Sequence, residues 1–170
     1  PITDRRIDRP IRVDPTDGSG DSDIGGFLGG DHPPAVNSVR VCAQRGLDIS
    51  QHRSVQVTPG ILRKADVILT MEGSHVIDLH GIEPEASRRA MPLLLAAARA
   101  TSEPLVGHLG PDDLRSWVGE HPRHLQQLLQ ADLDLTDPID RSRRRFRKTA
   151  DQIEAAIREV FDAWFGKPPT

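Results

Sequence analysis

The sequence predicts an α/β fold in which a small, doubly wound parallel sheet is flanked by helices. Two observations support this prediction. The run from Asp66 to Met71 is almost continuously apolar, which is typical of a strand in a parallel sheet covered on both faces. Segments with helical periodicity lie before and after this run, and strands that alternate with helices favour a parallel sheet.

The composition fits one domain. Of 170 residues, 36% are hydrophobic and only 4% aromatic, with no tyrosine, so aliphatic side chains must build most of the core. The net charge of -3 gives no overall positive field, so no nucleic-acid partner is expected. No apolar stretch approaches the roughly 20 residues that span a bilayer, and one cysteine excludes an internal disulfide. We therefore expect a cytoplasmic protein without membrane insertion.

The chain divides into a first segment, a domain and a tail. Residues 1–30 are rich in glycine, proline and aspartate, which predicts an irregular or disordered segment with at most a brief strand near 11–13. The predicted domain covers residues 31–166, and residues 167–170 form the tail.

Helical patterns recur through the domain. Thr58 followed by Pro59 predicts a helix start, because threonine caps a helix and proline suits its first turn. Residues 91–95 fit either a second buried strand or the start of a helix, and Asp48 to Val57 is predicted to be a polar connection. Predicted helices lie at about 34–45, 59–64, 72–79, 112–118, 120–130 and 142–165. In the last of these, Phe146, Ile153, Ile157, Val160, Phe161 and Trp164 form the apolar stripe.

Three segments carry a family resemblance in their order and spacing. They are GLDISQHRS at 46–54, the stretch from Val57 to His75 that contains VTP and ADVILTME, and DLTDP at 134–138, which a long helix follows. Over about residues 30–165, the chain thereby resembles the low-molecular-weight protein tyrosine phosphatases. The resemblance implies a sheet of four parallel strands, a phosphotyrosyl-protein substrate and no cofactor or metal.

The nucleophile of that family is not found in this sequence. The family attacks phosphorus with the thiolate of a Cys-x5-Arg loop, whose backbone amides and arginine also hold the phosphate. Here Cys42 is followed six positions later by Asp48, and it falls inside a helical pattern. We expect Cys42 to be a small buried apolar side chain, with a catalytic role as the lesser alternative, and we expect the first strand and phosphate loop to be missing.

The Asp-Pro pair is the strongest candidate for catalysis. The resemblance implies that Asp137 holds the position of the general acid and that Pro138 helps to fix its loop. The alternative for Asp137 is an aspartate that caps a turn. Asp134 is a lesser candidate and is expected to face solvent. The family often has aromatic residues just after Asp-Pro, where this chain has Ile139 and Asp140, so the identity of its substrate stays open.

These observations leave three functions. The first is a tyrosine phosphatase that forms a cysteinyl-phosphate, is inactive as given, and has a bacterial tyrosine kinase as its candidate partner. We expect an incomplete chain of an active family member, with an evolved pseudoenzyme as the alternative, because the roughly 30 residues of a strand, loop and helix do not fit before residue 11. The second function is a non-catalytic binding or regulatory module. The third, an arsenate reductase, is disfavoured because its relay needs several cysteines.

Two other patterns are expected to be structural. His121 and His124 are spaced for one helix face, but no third ligand is evident nearby, so exposed histidines are favoured over a metal site. The basic run at 141–148 suits a phosphate or an anionic lipid, although a solvated helix face is the commoner explanation.

Overall fold

A computed structural model describes residues 25–27, 29–103, 110–119 and 134–166. The expected division of the chain into segment, domain and tail remains a prediction. Several expectations fall outside the described residues: the strand near 11–13, the helix at 120–130, both His121 and His124, and the tail at 167–170.

Strands alternate with helices along the described chain. In order, the elements are β1 Gly25–Gly26, α1 Val36–Ala43, β2 Val55–Gln56, α2 Pro59–Lys64, β3 Ile68–Thr70, α3 Gly73–Ile82, α4 Pro84–Ser87, β4 Ala90–Pro92, α5 Leu93–Ser102, α6 Pro111–Gly119 and α7 Arg143–Phe165.

The described strands form two separate two-stranded parallel sheets, rather than the single sheet of four parallel strands that the resemblance implied. β1 pairs with β2, placing Gly25 opposite Val55, and β3 pairs with β4, placing Leu69 opposite Met91. The predicted α/β fold with a small parallel sheet is therefore confirmed, and the apolar run at 66–71 supplies β3 as expected. The polar connection predicted from Asp48 to Val57 is wrong at its end, because β2 lies there. β2 has only two residues, both exposed, and a strand this short is not distinguished from a loop by its sequence pattern.

Helix boundaries follow capping and proline rules. The predicted start of α2 is confirmed, since the Thr58 hydroxyl accepts a hydrogen bond from the Ile61 N–H at 3.3 Å. The helix predicted at about 72–79 is longer than expected, because α3 continues through Gly81 to Ile82. It ends where Glu83 turns extended before Pro84, as residues that precede proline tend to do. The apolar stretch at 91–95 is divided, with β4 ending at Pro92 and α5 beginning at once.

A large core lies between α5, α6 and α7, beside β4. Its fully buried members include Met91, Leu93 and Val160. Trp117 and Trp164 meet edge to face in this core, with ring centroids 5.6 Å apart, an arrangement that aromatic pairs favour. The guanidinium of Arg99 lies 4.5 Å from the Trp117 ring centroid and donates a hydrogen bond to the Trp117 carbonyl.

A small core packs α2, α3 and α4 against the start of β4. Its buried members are Leu62, Val76, Leu79, Ala86 and Ala90. The two cores lie in different parts of the fold, and the β3–β4 pair lies between them, with Leu69 against the large core and Ile68 against the small one.

The apolar stripe predicted for α7 is partly confirmed. Phe146, Val160 and Trp164 are buried, but Ile157 and Phe161 are exposed by 41% and 45%. The predicted stripe therefore includes more residues than the face of α7 that is buried against α5. Across the described residues, no helix combines the length and the apolar character needed to cross a bilayer.

Replacement of Leu93 by alanine tests the large core. Leu93 is 1% exposed, so Leu93→Ala should lower the free energy of unfolding by about 2–5 kcal/mol, through lost burial and a residual cavity. Leu47 is 58% exposed and gives a matched control, for which Leu47→Ala should change stability by no more than about 0.5 kcal/mol. Urea unfolding measures both, and equal losses would contradict the assignment of the core.

Candidate active site at the carboxyl end of β3

The candidate site lies where β3 ends and α3 begins. Thr70, the last residue of β3, is buried, and its hydroxyl donates a hydrogen bond to the Glu72 carbonyl at 2.8 Å. This bond turns the chain sharply, and α3 starts at the buried Gly73. In open α/β sheets, ligands bind at the carboxyl ends of the strands, so this edge is the natural place for a site.

A distant loop is tied to this edge by two hydrogen bonds. The Asp134 carboxylate accepts from the Gly73 N–H at 2.8 Å, and the Leu135 N–H donates to the Met71 carbonyl at 2.9 Å. The Glu72 side chain makes no capping bond, so Asp134 satisfies one of the free N–H groups at the start of α3. The expectation that Asp134 faces solvent is therefore wrong, since its side chain is half-buried and bonded.

Asp137 follows three residues later, in the same loop, and is exposed. One of its carboxylate oxygens accepts from the Ile139 N–H at 2.8 Å, and the other makes no hydrogen bond to a described residue. Pro138 is half-buried, and its carbonyl accepts from the Arg141 N–H at 2.9 Å, which closes a turn with Asp140 at φ 58°. The acid function of Asp137 and the supporting function of Pro138 stay predictions.

A cluster of polar side chains that the sequence did not indicate lies at the start of α3. Glu72 accepts a hydrogen bond from the Ser74 hydroxyl at 3.2 Å, and its carboxylate lies 3.9 Å from His75 Nε2. The Phe27 ring lies 5.1 Å from the His75 ring, so residues beside β1 reach this edge too. One feature of the sequence could have indicated this cluster: Glu72 and His75 are spaced one helical turn apart within the second family-like segment.

Cys42 lies elsewhere, within α1, as its helical pattern predicted. The thiol belongs to a half-buried residue, and the Cys42 carbonyl accepts from the N–H groups of Arg45 and Leu47. α1 packs against α7, and Cys42 is not at a strand-to-helix turn. The setting of a nucleophilic thiol in this family, a loop of backbone amides at a helix start, is not found around Cys42 among the described residues.

The first family-like segment forms a compact turn after α1. Gly46 adopts φ 76°, a conformation that favours glycine, and the Asp48 carboxylate accepts from the Ser50 N–H at 2.9 Å. That backbone hydrogen bond, helped by the Ser50 side chain, lowers the pKa of Asp48 below 3.8. The segment ends at Ser54, whose carbonyl lies close to Gly30. A Cβ atom at position 30 would come within 3.2 Å of that carbonyl oxygen.

Known proteins resemble this chain in part of its sequence and in its fold. No protein-family model matches the chain. The probable low molecular weight protein-tyrosine-phosphatase EpsP of Ralstonia solanacearum is 39% identical over 59 residues, which is 35% of this chain and 40% of that protein. Its counterpart from Ralstonia nicotianae is 37% identical over 59 residues. The aligned region thus spans less than half the length of these curated relatives.

Solved structures show the shared fold. The tyrosine phosphatase amsI of Erwinia amylovora superposes with a TM-score of 0.55 at 17% identity, over 78% of this chain and 66% of that one. The low molecular weight protein tyrosine phosphatase of T. tengcongensis gives 0.54 at 22% identity, over 78% and 69%. The YwlE arginine phosphatase of Geobacillus stearothermophilus gives 0.52 at 18% identity, over 77% and 64%.

These comparisons place the chain among α/β proteins with the phosphatase fold. The particular resemblance predicted from its three segments, to the low-molecular-weight protein tyrosine phosphatases, is confirmed.

Removal of the Asp134 carboxylate should loosen the loop that carries Asp137. Asp134→Ala leaves the Gly73 N–H without its acceptor, so we expect a loss of about 0.5–2 kcal/mol in the free energy of unfolding. Asp134→Asn keeps a carbonyl acceptor and should lose less. Denaturant unfolding and hydrogen exchange at the Gly73 amide measure the effect, and unchanged exchange in the alanine variant would contradict the capping role.

The Asp48 carboxylate should titrate below its ordinary value of 3.8. Because the pKa is lowered in the folded state, the stabilisation is present above 3.8 and is lost as pH falls through the lower, folded value. Carboxyl chemical shifts followed through an acid titration measure this pKa. Ser50→Ala should restore only a minor part of the shift, since the backbone N–H remains, and full restoration would mean that the hydroxyl is the main cause.

Proposed function

We propose that this chain has the architecture of a phosphotyrosyl-protein phosphatase, in which Asp137 holds the position of the general acid and Pro138 helps to fix its loop, but that it lacks the nucleophile the reaction needs. The supporting observation is the pair of hydrogen bonds from Asp134 and Leu135 to the end of β3. They tether the Asp137 loop at the edge of the sheet where an α/β protein binds its ligand.

In the proposed reaction, Asp137 donates one proton and later takes one back. In the family reaction, a thiolate forms a bond to phosphorus while the bond from phosphorus to the tyrosine oxygen breaks, and the departing phenolate takes a proton from the acid. Water then attacks the cysteinyl-phosphate and gives a proton back to the carboxylate, which releases phosphate and regenerates the thiolate. Asp137 suits both steps, because one carboxylate oxygen is held by the Ile139 N–H while the other is open to a substrate.

This chain lacks the nucleophile and the phosphate-binding loop that the reaction also needs. Its one cysteine is Cys42, in α1, and the sequence contains no Cys-x5-Arg loop. We therefore propose that this chain by itself turns over no aryl phosphate, whether it is truncated or a pseudoenzyme. The proposed partner is a phosphotyrosyl protein in the cytoplasm, with a bacterial tyrosine kinase as the first candidate.

Assay of the purified chain with p-nitrophenyl phosphate tests the inactivity. We expect no release of nitrophenolate above the rate in buffer, because no thiolate lies in a phosphate-binding loop. Cys42→Ser and Asp137→Ala are the two matched variants, and each should equal the parent chain. Turnover that Cys42→Ser abolishes would overturn the proposal and make Cys42 the nucleophile.

A non-catalytic binding module is the second candidate function. The location of Cys42 within α1, half-buried and with its helix packed on α7, favours it, because the cysteine then has a packing role alone. This function requires cooperative unfolding together with the absence of turnover. A chain that unfolds without a cooperative transition would exclude it.

A further inference from the structure

The start of α7 carries a dense positive surface. Six basic residues lie within eight positions, separated only by a serine and a phenylalanine. We call them the basic cluster: Arg141, Arg143, Arg144, Arg145, Arg147 and Lys148. All six side chains are exposed, whereas Phe146 in their midst is buried against the protein. Because the whole chain has a net charge of -3, the cluster opposes the overall sign.

The members of the basic cluster are not paired with carboxylates in the part of the chain that the structure describes. No ion pair joins any of its six members to an acidic group within residues 25–27, 29–103, 110–119 and 134–166. Elsewhere the protein does pair its arginines with carboxylates. Arg63 lies 2.7 Å from Glu83, for example, and Arg99 lies 2.9 Å from Glu103. The cluster therefore presents its charge outward, available to an anionic partner.

Helix stability does not explain the position of the cluster. The first turn of a helix carries partial positive charge, so acidic side chains stabilise it and basic ones do not. The first turn of α7 contains no acidic residue, and Ser142 at its N-cap makes no side-chain capping bond. Three arginines, at 143–145, occupy that turn instead. An anion bound there would neutralise both the side chains and the helix end.

We propose that the basic cluster is a docking surface for an acidic polypeptide segment. The six helical residues of this stretch, 143–148, extend about 9 Å, which matches the length of about three residues of extended peptide. The cluster begins at Arg141, whose N–H closes the turn after Asp137 by bonding the Pro138 carbonyl. Thr149, one helical turn beyond Arg145, donates a hydrogen bond to the Thr136 carbonyl at 3.3 Å. A docked segment would thus lie beside the Asp137 loop.

The surroundings favour a polypeptide over a membrane. Ile139 is 58% exposed next to the cluster, but the exposed carboxylates of Asp137 and Asp140 flank it and would repel an anionic bilayer. Phe146, the one apolar side chain between the members of the cluster, is buried, so this first part of α7 has no apolar side chain to insert between lipids. A flexible acidic peptide can contact the arginines and keep away from the two aspartates. The docking needs no catalysis and does not depend on the proposed phosphatase function.

Fluorescence anisotropy of the full chain with a short, labelled glutamate-rich peptide tests the proposal. The test variant is Arg144→Gln with Arg147→Gln, which removes two charges from the cluster. The control is Arg63→Gln with Arg158→Gln, which removes two charges from exposed ion pairs elsewhere. The control ion pairs are of the exposed kind that contribute little to stability, so both variants should fold. Thermal unfolding checks this, and the cluster variant should be no less stable than the parent, since it removes a cation from the first turn of α7.

We expect the peptide to bind the parent chain and the control alike, and the cluster variant to bind roughly tenfold more weakly or worse. Binding should weaken as salt rises from about 50 to about 200 mM, and the same peptide with glutamine in place of glutamate should not bind. No binding, or equal loss in both variants, would overturn the proposal. So would cluster-dependent binding to phosphatidylserine vesicles without binding to the peptide, which would make the partner a membrane.

Discussion

The hydrogen bond between the Gly73 N–H and the Asp134 carboxylate is the constraint on which the candidate site depends. It joins two segments that are 61 residues apart, the start of α3 and the loop before α7. The neighbouring bond between Leu135 and Met71 fixes the direction in which that loop leaves the edge of the sheet. Together they tether to the end of β3 the loop that carries Asp137, a residue whose own hydrogen bond is local. An exposed aspartate in a free loop would sample many positions, and the entropy of that freedom would oppose any catalytic alignment.

Much of the fold could be predicted because its signals are local. Thr58 and Pro59 mark the start of α2 through chemistry contained within four residues, and Ile68 to Thr70 are apolar enough to indicate a buried strand. Strands β1 and β2 could not be predicted in this way. Each has two residues, a pair of glycines in β1 and Val55 with Gln56 in β2, so each is too short for apolar periodicity or β-branched content to distinguish it from a loop.

The candidate site was predictable only in part, for a different reason. Asp137 and Pro138 are candidates because a short motif contains them, and their roles stay predictions. The role of Asp134 escaped prediction because the donor that it satisfies lies in another element, and no sequence spacing indicates such a pair. The exposed positions on α7 have a similar cause, because helical periodicity places Ile157 and Phe161 beside Val160, while only the contact with α5 decides which of them is covered.

The two tryptophans report on one region of the molecule alone. Trp117 and Trp164, the only tryptophans in the chain, touch each other in the large core, and their buried indole N–H groups have no hydrogen-bond partner among the described residues. Their emission therefore follows the separation of α6 from α7 and is insensitive to the small core around Leu62 and Val76. A melting curve followed by tryptophan fluorescence would miss any earlier opening near α2 and α3, whereas backbone circular dichroism would detect it.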